Sequence, residues 1–432
     1  MKIVKRFLTE SKNIDRSSAF WNMFGSMLLS FQSVILLIVM AHTVGPVAAG
    51  IYTIGNTSNN LFLNIGKYGS RSFQVSDVSR EYVFKEYHRS RIITCIAMGL
   101  ISIAYVLWSA NRNSYSSEKT AIVIWMCLFK IPDAYEDIFQ AEYQKNDRLD
   151  VAAKCLSLRM IITIILWAIL LFITRNLLVS TIISTIVTYI LCGLFIVLTK
   201  EFISEKKDYS MKKVWKLLLV MAPLCLGGFM TTYIGAAPRY SIDRYMDDVT
   251  QGIYGYIVMP VFVVQLLVTF IFNPVLHKVS LMWDEGRYKD YLKTTFVQSG
   301  LVVGLTLVCM TGAWLLGVPV LSVFYNTDLS PYKFDLMVVM LGSGFLGFTG
   351  LFGQLLTVMR CQNVMLIGYG ITSVIAFLLS DKAVLTYGIR GACVFYTILL
   401  FILMMVFVLL YTIRILRAWK KTDLKGSDGK EA

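Results

Sequence analysis

Apolar residues run along this chain in long blocks separated by short polar or basic stretches. Each block is close to the 20 or so residues that an α-helix needs to cross the hydrocarbon core of a bilayer. The pattern predicts spans near 18–42, 48–66, 91–109, 120–140, 152–174, 176–198, 214–236, 250–276, 295–317, 334–358, 363–380 and 389–412. Connections on one side are short, the longest being 109–119, 237–249 and 318–333. Those on the other side are basic, at 67–90, 142–150, 200–213 and 277–294. The fold class expected is an all-α integral membrane protein with about twelve transmembrane helices.

The chain also reads as two halves. The second span opens on Gly50-Ile51-Tyr52 and the eighth on Gly252-Ile253-Tyr254. Six spans per half give both halves one orientation, so a pseudo-two-fold along the membrane normal relates two six-helix lobes. The boundaries expected are 1–199 for the first lobe, 200–213 for a basic linker, 214–413 for the second lobe and 414–432 for a disordered basic tail.

Several spans carry residues that do not belong in lipid. In the second, Asn56, Asn60 and Asn64 recur every four residues, and Lys67 and Arg71 continue the same spacing. Such spacing predicts one helical face, which must meet protein or water, since hydrocarbon offers amides no partner. Interhelical hydrogen bonding and a cavity-lining face both satisfy that demand; the terminal cations favour the cavity. The eighth span echoes the stripe with Gln265, Thr269 and Asn273, between Pro260 and Pro274, which can kink it.

Lys130 lies near the middle of the fourth span, where a lysine costs about 2.5–3.5 kcal/mol. Its candidate partners are Asp133, Glu136 and Asp137, which are also the candidates for ion coupling. A structural ion pair, phosphate recognition and ion coupling all remain open for this group. At the end of the seventh span, Arg239, Tyr240, Arg244 and Tyr245 combine phosphate-binding and sugar-binding chemistry. An interfacial aromatic belt with snorkelling arginines is the plainer reading. Gly342, Gly344, Gly347, Gly350 and Gly353 read as a close-packing helix face.

Composition agrees: 56% of the 432 residues are hydrophobic and 16% charged, against roughly 25% charged in soluble domains. The net charge of +14 suggests nucleic acid until its placement is considered. Most of the Lys and Arg fall in the longer connections and both termini, the bias that marks cytoplasmic segments. The charge therefore reads as topology and attraction to anionic lipid, with both termini cytoplasmic and no nucleic-acid partner. The eight cysteines are scattered singly without metal spacing. No phosphate-binding GxxxxGK[ST], GxSxG or HExxH occurs. Neither an enzyme nor a cofactor or metal site is expected. The first helix is expected to be retained rather than cleaved as a signal peptide.

Ile65-Gly-Lys-Tyr-Gly-Ser-Arg71 with Gln74-Val-Ser-Asp77, Tyr143-Gln144 with Arg148-Leu-Asp150, and Pro238-Arg-Tyr-Ser-Ile-Asp243 resemble the O-antigen-type flippases. That family is the polysaccharide-transporter branch of the multidrug/oligosaccharidyl-lipid/polysaccharide exporter (MATE-like) superfamily. The resemblance implies two lobes in a V that open alternately to either side. It implies a cargo of undecaprenyl-pyrophosphate-linked oligosaccharide, moved to the outer leaflet of a bacterial cytoplasmic membrane for surface polysaccharide assembly. An ion gradient or the membrane potential would drive it, and a glycan polymerase or glycosyltransferase complex is a candidate partner. The competing readings are a cation-coupled multidrug exporter of the same architecture, a membrane glycan polymerase or ligase, and a structural partner of a glycan assembly complex. The outer connections are too short for a polymerase of the usual kind.

Overall fold

The computed structural model describes residues 2–77, 80–203 and 209–428, with the side chains of 269, 273, 274, 277 and 419–428 outside that description. Among the described residues the chain is helical throughout, with no strand.

The first helices follow the apolar blocks and start where polar caps supply acceptors. A short amphipathic α1 (Lys2–Thr9) buries Leu8 completely. It precedes α2 (Ile14–Thr43), whose first turn is capped by the Asn13 side chain. Pro46 sits in the first turn of α3 (Pro46–Lys67), where its missing N–H costs nothing. Then come α4 (Ser70–Ser76), α5 (Phe84–Arg112), α6 (Ser117–Phe129, capped by Ser116), α7 (Ile131–Lys145), α8 (Leu149–Thr174) and α9 (Leu177–Leu198, capped by Asn176). Leu8 joins a core with Tyr87, Ile138, Tyr143, Val151, Val214 and Leu217.

The remaining helices are α10 (Met211–Tyr245), α11 (Asp248–Val258), α12 (Val261–Asp284), α13 (Tyr288–Gly312), α14 (Val318–Tyr325), α15 (Lys333–Val358) and α16 (Gln362–Asp428). A π-helical turn, Ala313–Gly317, joins α13 to α14. Pro319, two residues on, has no N–H to donate to a carbonyl of the turn before it, which fits the widened backbone. α16 bends at Gly388, where φ is +59°, so it supplies two passages.

Nine segments are long and apolar enough to cross a membrane among the described residues. The bend in α16 makes a tenth. The other two expected spans fall below that standard for visible reasons. α3 carries the asparagine stripe, and the fourth span is broken at Lys130 into α6 and α7, with Pro132 in the new first turn. With these included, the all-α membrane architecture accommodates the twelve expected passages.

Several boundaries differ from the expectation. α10 runs unbroken through Pro223 and Pro238 to Tyr245, so 237–245 is helix rather than connection. α12 likewise continues through 274 to Asp284, and the helix breaks at Pro260 instead. α16 extends to Asp428, so the expected disordered tail is helical up to there; 429–432 lie outside the described residues.

By contacts the chain divides into two compact units. The first holds Met1–Thr232 with Asp247–Gly252, and the second Tyr233–Met246 with Ile253–Ala432. α10 thus contributes to both.

Candidate functional site

The richest polar region belongs to the first unit and is built on α3. Asn56, Asn60 and Asn64 are partly exposed, and the amides of Asn60 and Asn64 turn back along their own helix. Asn60 Nδ2 donates to the Asn56 carbonyl at 2.8 Å, and Asn64 Nδ2 to the Asn60 carbonyl at 3.0 Å. Asn64 Nδ2 also reaches Thr232 Oγ1 on α10 at 2.9 Å. α10 comes this close because residue 228 is glycine: a Cβ there would sit 2.8 Å from Asn64 Oδ1. With their N–H groups spent locally, the Asn60 and Asn64 side-chain oxygens are acceptors left for another donor.

Lys67 closes α3, but Arg71 does not extend the stripe as the spacing suggested. α3 ends at Lys67, and the chain turns through Tyr68 and Gly69, both at positive φ (51° and 67°). A Cβ on Gly69 would also lie 2.6 Å from Leu224 Cβ, so only glycine fits the turn. Arg71, on α4, therefore points to α7: Nη1 donates to Gln140 Oε1 at 2.9 Å and Nη2 to Gln144 Oε1 at 3.2 Å. Lys67 is partly exposed; its ammonium makes no ion pair or hydrogen bond among the described residues but lies within the electrostatic reach of Asp133. The neighbouring Gln74-Val-Ser-Asp77 motif is a cap. Burial would raise the Asp77 carboxyl, but the amides of Glu81 and Tyr82, the Tyr87 hydroxyl and Lys145 outweigh it and hold it below the usual carboxylate range.

Behind the stripe lies a buried ion network. Lys130 donates to Asp133 Oδ2 at 2.9 Å and to Gln32 Oε1 at 3.1 Å, which selects Asp133 from its three candidate partners. Arg159 reaches Asp133 at 2.7 Å and Glu136 at 2.6 Å. Arg91 reaches Asp137 at 3.1 Å, and Arg71 approaches the same carboxylate at 3.7 Å. Arg91 and Arg159 are 0% and 1% exposed, and the sequence reading missed both. Arg159 interrupts the apolar run from Val151 to Thr174, which was the available signal. Three buried cations (Arg91, Lys130, Arg159) thus answer three buried acids (Asp133, Glu136, Asp137). A proton or metal cation arriving at any of these acids would have to displace a resident cation, which works against ion coupling there.

A second cluster belongs to the second unit. Arg244 Nη1 meets Asp381 Oδ2 at 2.5 Å, while Ser241 donates to Asp381 Oδ1 at 2.7 Å and Tyr245 to Oδ2 at 3.2 Å. Asp381 was not anticipated because it lies between two expected spans. Arg239 lies in the electrostatic reach of the buried Tyr254 and Tyr396, and Tyr240 is partly exposed on the same helix. Gln265 is exposed on α12; the Asn273 side chain lies outside the described residues. The Arg239–Arg244 group belongs to the second unit and the asparagine stripe to the first.

The repeated Gly-Ile-Tyr is a close crossing within the first unit. A Cβ on Gly50 would fall 1.7 Å from the Asp248 carbonyl oxygen, and one on Gly252 2.9 Å from the Pro46 carbonyl. Lys119 locks the crossing through Asp248 at 2.6 Å. Gly50→Ala is expected to lower stability by about 1–3 kcal/mol, because backbone must move. Gly193→Ala, where a Cβ meets nothing within 4 Å, is expected to be neutral or stabilising. Thermal unfolding of the detergent-solubilised protein compares the two.

No protein-family model and no curated protein matches the sequence. Solved structures do match, over nearly the whole chain. The MATE multidrug transporter DinF-BH in complex with R6G superposes with a TM-score of 0.66 at 15% identity, covering 94% of this chain and 96% of that one. The fold is that of the MATE transporters. An inward-facing MATE-family transporter of the MOP superfamily gives 0.64 at 12% identity, with 90% and 96% covered. The Vibrio cholerae MATE transporter VcmN in its bent form gives 0.58 at 13%, with 94% and 98% covered. The likeness bears out the fold that the resemblance implied, while identities this low say nothing of family or cargo.

Proposed function

We propose that the protein is a membrane transporter of the flippase type, carrying a lipid-linked oligosaccharide from the inner to the outer leaflet of a bacterial cytoplasmic membrane by alternating access. The observation that carries this reading is the charge arithmetic around α3. Asp133, Glu136 and Asp137 are already engaged by Arg91, Lys130 and Arg159, so Lys67 at the end of the row of amide oxygens, with Arg71 nearby in the sequence and 3.7 Å from Asp137, adds positive charge beyond one cation per acid in that network. Surplus cations suit a pyrophosphate and free amide oxygens suit sugar hydroxyls, whereas a prenyl tail needs only the surrounding lipid. The MATE-type fold supports transport rather than bond chemistry.

The multidrug reading is favoured by one observation, the multidrug transporters among the matching structures. A cationic drug would want an open carboxylate, and Asp133, Glu136 and Asp137 are each engaged by a cation. Purified protein in liposomes decides between the readings. Protein-dependent translocation of a fluorescent polyprenyl-pyrophosphate oligosaccharide, without efflux of a cationic dye, is the expected result. Dye efflux without lipid translocation would reverse it.

A further inference from the structure

The π-helical turn Ala313–Gly317 opens a groove on the second unit that the transport reading does not use. The groove has a volume of about 280 Å³ and is lined by Pro260, Val263, Cys309, Gly312, Leu336 and Met340 among others. Its walls are hydrocarbon, and its floor is made by close approach: a Cβ on Gly317 would lie 2.9 Å from Leu336 Cδ2. At Gly312 the opposite holds. A Cβ there meets nothing within 4 Å, so the groove is open at that point.

One end of the groove carries charge. Lys333, Leu336 and Met340 follow one another at three- and four-residue spacing on α15, so the lysine stands on the stripe that lines the groove, one turn beyond Leu336. Lys333 Nζ lies 4.0 Å from the centre of the Trp314 ring, and Trp314, on the π-helical turn, is 53% exposed. No carboxylate pairs with Lys333 among the described residues. A tryptophan and a lysine at the mouth of an apolar slot match the interface level of a bilayer, where aromatic rings and ammonium groups meet lipid phosphates.

We propose that this slot binds one anionic phospholipid, its phosphate on Lys333 and one acyl chain along the groove. The charge selects the headgroup and the groove selects a chain, so neither alone defines the site. The assignment is independent of the cargo.

The test is native mass spectrometry of the purified full chain from micelles doped with phosphatidylglycerol or phosphatidylcholine. The wild type is expected to retain one phosphatidylglycerol, preferred over phosphatidylcholine by on the order of tenfold. Lys333→Gln should erase that preference, and Gly312→Leu, which fills the open end, should abolish retention of either lipid. Thermal unfolding establishes that the variants fold; Lys333→Gln decides the question if Gly312→Leu does not. Equal retention of both lipids by the wild type, or undiminished retention by a folded Gly312→Leu, would overturn the proposal. So would displacement of phosphatidylglycerol by an equimolar polyprenyl phosphate, which would make the slot a prenyl site.

Discussion

Arg159→Leu is expected to cost about 3–5 kcal/mol, enough to abolish accumulation of a folded protein. The guanidinium is 1% exposed and bridges Asp133 and Glu136. Its removal leaves Asp133 with Lys130 but strips Glu136 of its cation, retaining only the Gln140 amide at 2.7 Å. An uncompensated carboxylate at this depth is far more expensive than the pair it came from. The double variant Arg159→Leu with Glu136→Leu removes both charges together and should recover most of the loss, since an apolar pair needs no partner. Monodispersity in detergent and the unfolding midpoint measure both variants. A single Arg159→Leu chain as stable as the wild type would mean that water reaches the network.

Lys67→Gln is expected to act the other way, leaving stability within about 0.5 kcal/mol and lowering cargo translocation roughly ten- to hundredfold. Lys67 makes no hydrogen bond or ion pair through its side chain among the described residues, and Asp133, within its electrostatic reach, keeps Lys130 and Arg159, so the Lys67 charge can be spared for cargo. Arg71→Gln differs. Arg71 already holds Gln140 and Gln144, and its loss should cost stability, about 1 kcal/mol, as well as transport. Surface glycan restored to a strain lacking its own transporter, normalised to protein abundance, measures these effects. Full restoration by both variants would remove the phosphate-binding role from this site.

Much of the architecture was legible because the bilayer enforces one rule: a passage must be long and apolar. The rule also explains where reading failed. The Lys67–Arg71 spacing is helical on paper, but Tyr68 and Gly69 turn the chain, and a positive-φ turn at Gly69 leaves no trace in a hydrophobicity pattern. The partner of Lys130 could not be chosen while Pro132 made the local geometry uncertain; the structure places α7 so that Asp133 reaches it. Arg159 and Asp381 were overlooked because a charge near an expected boundary, or within a run otherwise apolar, draws attention only once its counter-ion is known. Counter-ions come from other helices, and one-dimensional spacing does not pair helices. The Gly-Ile-Tyr repeat was legible as a repeat; its close crossing with the Asp248 carbonyl was not.

The bond between Asn64 and Thr232 joins residues 168 positions apart. At ordinary synthesis rates the ribosome delivers Thr232 roughly ten to thirty seconds after Asn64. α3 is not among the nine described segments that are long and apolar enough to cross a membrane, so during that interval its amides depend on α5 and α6 for shelter. The packing around α3 is therefore completed by a helix made late, and a chain truncated before α10 should leave α3 exposed to quality-control proteases.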